Sequence, residues 1–142
     1  MATQIQEIMN TTLFTLKANS SLAEAKHLMA EHPIRHIPIV SDAHHLLGLV
    51  SHRDVLATGG MHNTEHDLIT LDQIMVTNPY TISPKTGIKQ GARLLKRQRY
   101  GCLPVIEHNK LVGLVTASDF VEVAINLIEM IEDVEPVELD DE

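Results

Sequence analysis

Two hydrophobic rhythms alternate along this chain, and each occurs twice. Leu22, Ala25, Leu28 and Met29 fall on one helical face, and His32-Pro33 stops the run. Ile88, Ala92, Leu94 and Leu95 repeat that arrangement further on. Short extended segments, Phe14-Thr15-Leu16 and Tyr80-Thr81-Ile82, come first, and the pairs Ser20-Ser21 and Ser83-Pro84 supply helix-start residues. Two apolar strands follow each helix. His36 to Val40 and Leu46 to Val50 flank a polar turn at Ser41 to His45, while Cys102 to Ile106 and Leu111 to Val115 flank Glu107 to Lys110. Ser51 and Thr116 then stand where a strand hands over to a second helix.

The alternation is a true internal repeat. Ile8-Met9 returns as Ile74-Met75, Thr15 as Thr81, Leu22 as Ile88, Met29 as Leu95, and Pro38-Ile39-Val40 as Pro104-Val105-Ile106, all 66 positions later. After a one-residue deletion, Gly48-Leu49-Val50-Ser51-His52-Arg53-Asp54 aligns with Gly113-Leu114-Val115-Thr116-Ala117-Ser118-Asp119. A copy of about 50 residues buries too little surface to stand alone. The expected fold is therefore α/β (α+β), with two β-α-β-β-α repeats packed about a pseudo-twofold axis. The boundaries fall at 5–60 for the first repeat, 61–70 for a linker, 71–135 for the second repeat and 136–142 for an acidic mobile tail.

Charge and composition narrow the setting. The 142 residues carry a formal net charge of -8. Eight acidic residues lie between Glu129 and Glu142, and the rest of the chain balances. A neutral body with an acidic end gives no reason to expect nucleic-acid binding. The basic run Lys85, Lys89, Arg93, Lys96, Arg97 and Arg99 reads as a solvated helix face. No apolar stretch reaches the roughly 20 residues of a membrane helix, and the N-terminus lacks a signal-peptide pattern. Cys102 is the single cysteine, which excludes an internal disulfide and fits a reducing cytoplasm.

The repeated heptad carries the candidate chemistry. Asp54 and Asp119 each lie three residues after a hydroxyl, on the first turn of the following helix. A carboxylate can accept from the two hydroxyls of a ribose, and a Ser or Thr hydroxyl with helix N–H groups suits a phosphate. Arg53 adds a cation to one copy where Ser118 adds only a hydroxyl, so the two sites should differ in charge preference. The alternative is that these residues only cap their helices and satisfy the dipole.

These motifs resemble the cystathionine-β-synthase (CBS) domain, present as a tandem pair similar to a Bateman module in a stand-alone CBS-domain protein. The resemblance covers about residues 5 to 135. It rests on the paired Ile-Met, on Ile37-Pro38-Ile39-Val40 with Leu103-Pro104-Val105-Ile106, and on the doubled Gly-Leu-Val-[Ser/Thr]-x-x-Asp. It implies adenosyl ligands in crosswise clefts between the repeats. One cleft would combine Thr15, Arg35 and His36 with Thr116, Ser118 and Asp119. The other would combine Thr81, Gly101 and Cys102 with Ser51, Arg53 and Asp54.

Other constellations carry less. Nine histidines include His44-His45 in a turn and His62 with His66 at a zinc-compatible spacing, but flanking glycines mark the latter as loop. Cys102 in a Pro strand is expected to be buried and uncatalytic. The last helix carries apolar residues on more than one face, from Phe120 to Val134, which points to a homodimer interface. The resulting expectation is a non-enzymatic regulatory or sensory module. It would bind AMP, ADP, ATP, NAD or S-adenosylmethionine without an obligatory cofactor and act on a separate effector protein. The alternative is a ligand-free protein-interaction or assembly subunit.

Overall fold

The computed structural model describes residues 3–59, 67–98 and 101–134. The first repeat contains α1 (Leu22–Glu31), β1 (His36–Val40), β2 (Leu46–Ser51) and α2 (His52–Gly59). The second contains β3 (Val76–Thr77), α3 (Ile88–Arg97), β4 (Cys102–Glu107), β5 (Lys110–Thr116) and α4 (Ala117–Val134). Short 3-10 turns at Ile5–Glu7 and Leu71–Gln73 open the two repeats. The expected His62–His66 pair, Arg99 and the tail 136–142 lie outside the described residues. Among the described residues, no group of three His, Cys, Asp or Glu side chains could hold a metal ion.

Both hairpins form where the alternation places them. β1 pairs antiparallel with β2, and β4 with β5, with Pro38 opposite Leu49 and Pro104 opposite Leu114. His108 and Asn109 both take positive φ, the requirement of a two-residue I′ turn whose twist matches the strands. The extended segments before each helix shrink to single parallel bridges, Leu16 with Ile39 and Ile82 with Val105. The prolines explain this. Leu16 donates to the Pro38 carbonyl and accepts from Val40, so the proline nitrogen faces the same neighbour and has no hydrogen to extend the ladder. Pro104 does the same beside Ile82.

α1 starts at the expected serine, where Ser21 and Glu24 form a capping box. α3 does not start at Ser83-Pro84. Those residues form a turn closed by Thr86, and the helix begins at Ile88 after Gly87. Gly87 occupies the repeat position of Ser21, and Gln4 bridges to it as Thr70 bridges to Ser21.

That pairing is part of a larger exchange. Ile5, at the head of the first repeat, is fully buried in the core of the second with Leu103, Val105 and Val115, and Ile8 and Met9 pack against it. Leu71, at the head of the second repeat, is fully buried in the core of the first with Leu22, Ile37, Ile39 and Val50, beside Ile74 and Met75. Main-chain bonds hold each exchanged segment: Ile5 donates to the Thr86 carbonyl at 2.8 Å, and Leu71 to the Ser20 carbonyl at 2.8 Å. Asp67, at the end of the segment read as linker, pairs with Lys26 of α1 at 2.8 Å. The repeated heptad glycines make room for the exchanged methionines. A Cβ at Gly113 would lie 2.7 Å from the Met9 sulfur, and one at Gly48 would lie 2.5 Å from the Met75 sulfur and 2.8 Å from the Val76 carbonyl. Asn10 then bridges to Leu114, as β3 pairs with β2.

The last helix is covered on one side only. Val121, Ile125, Ile128 and Ile131 form a stripe along it and are 57%, 44%, 54% and 57% exposed.

The exchange predicts that the repeats unfold together. Leu71→Ala should cost about 2–5 kcal/mol in urea denaturation while leaving one coincident transition by circular dichroism and by amide exchange in both repeats. Two separated transitions would show independent repeats.

Candidate functional site

The first strand-to-helix handover is locked by a reciprocal pair of hydrogen bonds, and the second by two bonds from one threonine into one carboxylate oxygen. The Asp54 N–H donates to Ser51 Oγ at 3.1 Å, and the Ser51 N–H donates to Asp54 Oδ2 at 2.9 Å. In the second repeat the Thr116 N–H donates to Asp119 Oδ2 at 2.8 Å, with the Thr116 hydroxyl 3.4 Å from the same oxygen. The helix-capping role is therefore real, and it uses one oxygen of each carboxylate. A carboxylate has two, so capping leaves each aspartate a second acceptor.

Two cavities open at these handovers. The first, about 540 Å³, brings Ser51, His52, Arg53, Asp54 and Leu56 together with Arg35, His36, Val76 and Gly101. The second, about 490 Å³, brings Thr116, Ala117, Ser118 and Asp119 together with Arg35, His36, Asn10 and Gly101. Both volumes lie in the range of small-molecule sites, about 300–1,000 Å³. Among the described residues, neither Arg35 nor Arg53 forms an ion pair. Among the described residues, the first cavity is thus lined by two arginines and one aspartate, and the second by one of each.

Nine of the twelve candidate residues line these cavities. Arg35 and His36 line a cavity with Thr116, Ser118 and Asp119, and Gly101 lines one with Ser51, Arg53 and Asp54. Thr15, Thr81 and Cys102 line neither. Thr15 and Thr81 lie beside the single-bridge residues Leu16 and Ile82, set back from the handovers. Cys102 is fully buried and pairs with Thr116 in the ladder. Burial, and then the charge of Asp119, push its thiol from the ordinary 9.0 up to about 12.

The first-cavity assignment also widens, because Arg35 and His36 line it as well. Asn10 and Val76 were missed. They occupy equivalent repeat positions just after each Ile-Met, and they reach opposite cavities because the leading segments are exchanged. The 66-residue period could have paired them, but the exchange is invisible in one dimension. His52 was passed over inside the motif, though its N–H donates to the Arg35 carbonyl at 2.7 Å and ties α2 to the wall shared by both cavities.

Two repeats, exchanged leading segments and paired clefts at the handovers define a tandem-repeat module, and its family follows from the comparison. The chain belongs to the CBS domain family, whose signature matches residues 5–58 and again 71–126. It is similar to a Vibrio cholerae protein provisionally assigned to acetoin utilization (AcuB): 38% identity, a TM-score of 0.80, 96% of this chain and 100% of that one. It is also similar to CBSX2 of Arabidopsis thaliana in its complex with AMP, with 26% identity, a TM-score of 0.77, and 89% and 99% of the two chains covered. An uncharacterized Methanocaldococcus jannaschii protein, MJ1225, is 30% identical over 118 residues. The chain spans 83% of itself but only 41% of that relative's length. No helix among the described residues is long and apolar enough to cross a membrane.

The thiol's environment gives a direct test. At pH 8 a disulfide-exchange reagent should modify Cys102 only as fast as the protein opens, and immediately in urea. A folded-state pKa above the unfolded one favours folding below pH 9.0, and that contribution should fade as pH climbs toward about 12. Fast labelling of the native protein would contradict both.

Proposed function

We propose that this protein is a regulatory module that binds an adenosine-containing ligand in the two clefts and transmits occupancy to a separate protein, without catalysing a reaction. The observation that carries this reading is the doubled combination of a helix-start carboxylate and an unpaired guanidinium in one cavity. Asp54 and Asp119 would accept from the ribose hydroxyls with the oxygen that capping leaves over. Arg35 and Arg53 would take phosphate oxygens, helped by the N–H groups at the starts of α2 and α4. The relation to CBSX2, which is described with AMP, supports an adenosyl ligand. AMP, ADP, ATP, NAD and S-adenosylmethionine all remain compatible with this chemistry, and none is an obligatory cofactor.

Regulation requires a ligand to bind two conformations unequally. The clefts form where the exchanged segments and both heptads meet, so a ligand bridging Asp119 to His36 acts on the packing of one repeat against the other. The exposed stripe of α4 supports a homodimer, since an apolar row of four large side chains calls for a cover. We place the protein in the cytoplasm, where its single cysteine stays reduced.

Thermal melting should rise with at least one of AMP, ADP, ATP, NAD or S-adenosylmethionine at millimolar concentration. Asp54→Ala and Asp119→Ala should each abolish part of that rise. No shift with any of them would favour the ligand-free assembly subunit instead. Replacing Ile125 and Ile128 by Glu should convert a dimer to monomer in analytical ultracentrifugation, and an unchanged sedimentation coefficient would place the interface elsewhere.

A further inference from the structure

The two clefts are not separate sites that happen to lie near each other. Arg35 and His36 line both of them, and so does Gly101. The pseudo-twofold axis should supply each cleft with its own pair, but the repeat positions of Arg35 and His36 are Gly101 and Cys102. Gly101 has no side chain, and Cys102 is fully buried with a neutral thiol. One guanidinium therefore stands where symmetry would place two.

We infer that Arg35 is a specificity-determining residue shared between the clefts, so that two phosphate-bearing ligands compete for it and the first lowers the affinity for the second. This rests on the adenosyl-ligand reading above and adds a regulatory property to it. Arg35 is exposed, and it is not ion-paired among the described residues, so its side chain is available to a phosphate in either cleft. Its main chain is held, because its carbonyl accepts from the N–H of His52 at the start of α2. A guanidinium engages one phosphate by a bidentate fork, and a fork directed into one cleft is withdrawn from the other. Repulsion between two anions on either side of one residue acts in the same direction. The first cleft retains Arg53 when Arg35 is taken. Among the described residues the second has no other Arg or Lys on its wall, so it bears the loss. An uncharged adenosine makes no claim on Arg35, and its two binding events should be independent.

The module would thus respond to phosphate-bearing ligands over a wider concentration range than to neutral ones. It would also favour a mixed state, with a phosphorylated ligand in one cleft and an uncharged one in the other.

The test uses calorimetric titration of the full chain with AMP and with adenosine. Leu56→Trp fills the first cleft and Ser118→Trp the second, both from partly exposed helix positions, and Asp54→Ala and Asp119→Ala offer a second route to single-cleft protein. In either single-cleft background, adding Arg35→Gln should weaken AMP about fivefold or more and leave adenosine unchanged. In the two-cleft protein, Arg35→Gln should weaken only the first AMP step. If Arg35→Gln is silent in one single-cleft background, or weakens both AMP steps equally, the sharing is refuted while the adenosyl-ligand reading stands. If the unmodified protein binds neither AMP nor adenosine, the sharing is refuted, and the adenosyl-ligand reading falls with it when ADP, ATP, NAD and S-adenosylmethionine fail to bind as well.

Discussion

Everything in this fold depends on an exchange. The turn that opens each repeat buries its leading apolar residue in the core of the other, Ile5 in the second and Leu71 in the first. Neither hairpin with its helices encloses enough apolar surface by itself, and a residue buried completely contributes about 1.5–3 kcal/mol relative to exposure. Exchange makes that contribution conditional on both repeats being folded. It also accounts for residues that otherwise look unrelated. Gly48 and Gly113 leave space for Met75 and Met9, and Gly91 of α3 leaves space for Ile5. Asn10 and Val76 continue from the exchanged turns to the edges of β5 and β2, where they become cleft walls.

The clefts exist because the same handover serves fold and site. Ser51 with Asp54, and Thr116 with Asp119, hold the first turn of α2 and α4 against the end of a strand. Capping uses one oxygen of each carboxylate and leaves the other as an acceptor beside the cleft. The prolines act on the opposite side of each hairpin. By lacking an N–H, Pro38 and Pro104 stop the parallel ladder after one residue.

Symmetry organises the scaffold, and its breakage sets the chemistry. Arg53 faces Ser118 across the pseudo-twofold, and Arg35-His36 faces Gly101-Cys102. Among the described residues one cavity therefore carries more arginine than the other, and Arg35 borders both. The helices diverge in the same way. α2 spans 8 residues and α4 spans 18, and the extra length carries the exposed apolar stripe.

The repeat, both hairpins, the four helices and the heptad that caps and lines the clefts are legible in the order of residues alone. These are short-range properties, written in alternation, in helical spacing and in a hydroxyl three residues before a carboxylate. The start of α3 escaped it because Ser83-Pro84 and Gly87 are both competent breaks, and the bridge from Gln4 to Gly87 chooses between them. Packing in three dimensions is what makes Ile5 and Leu71 cross over, brings Asn10 and Val76 to the clefts, and sets Arg35 on the border of both cavities. Each of these is set by which repeat a segment packs against. A period of 66 residues records that two segments are equivalent, and it carries no information about which of two equivalent cores receives them.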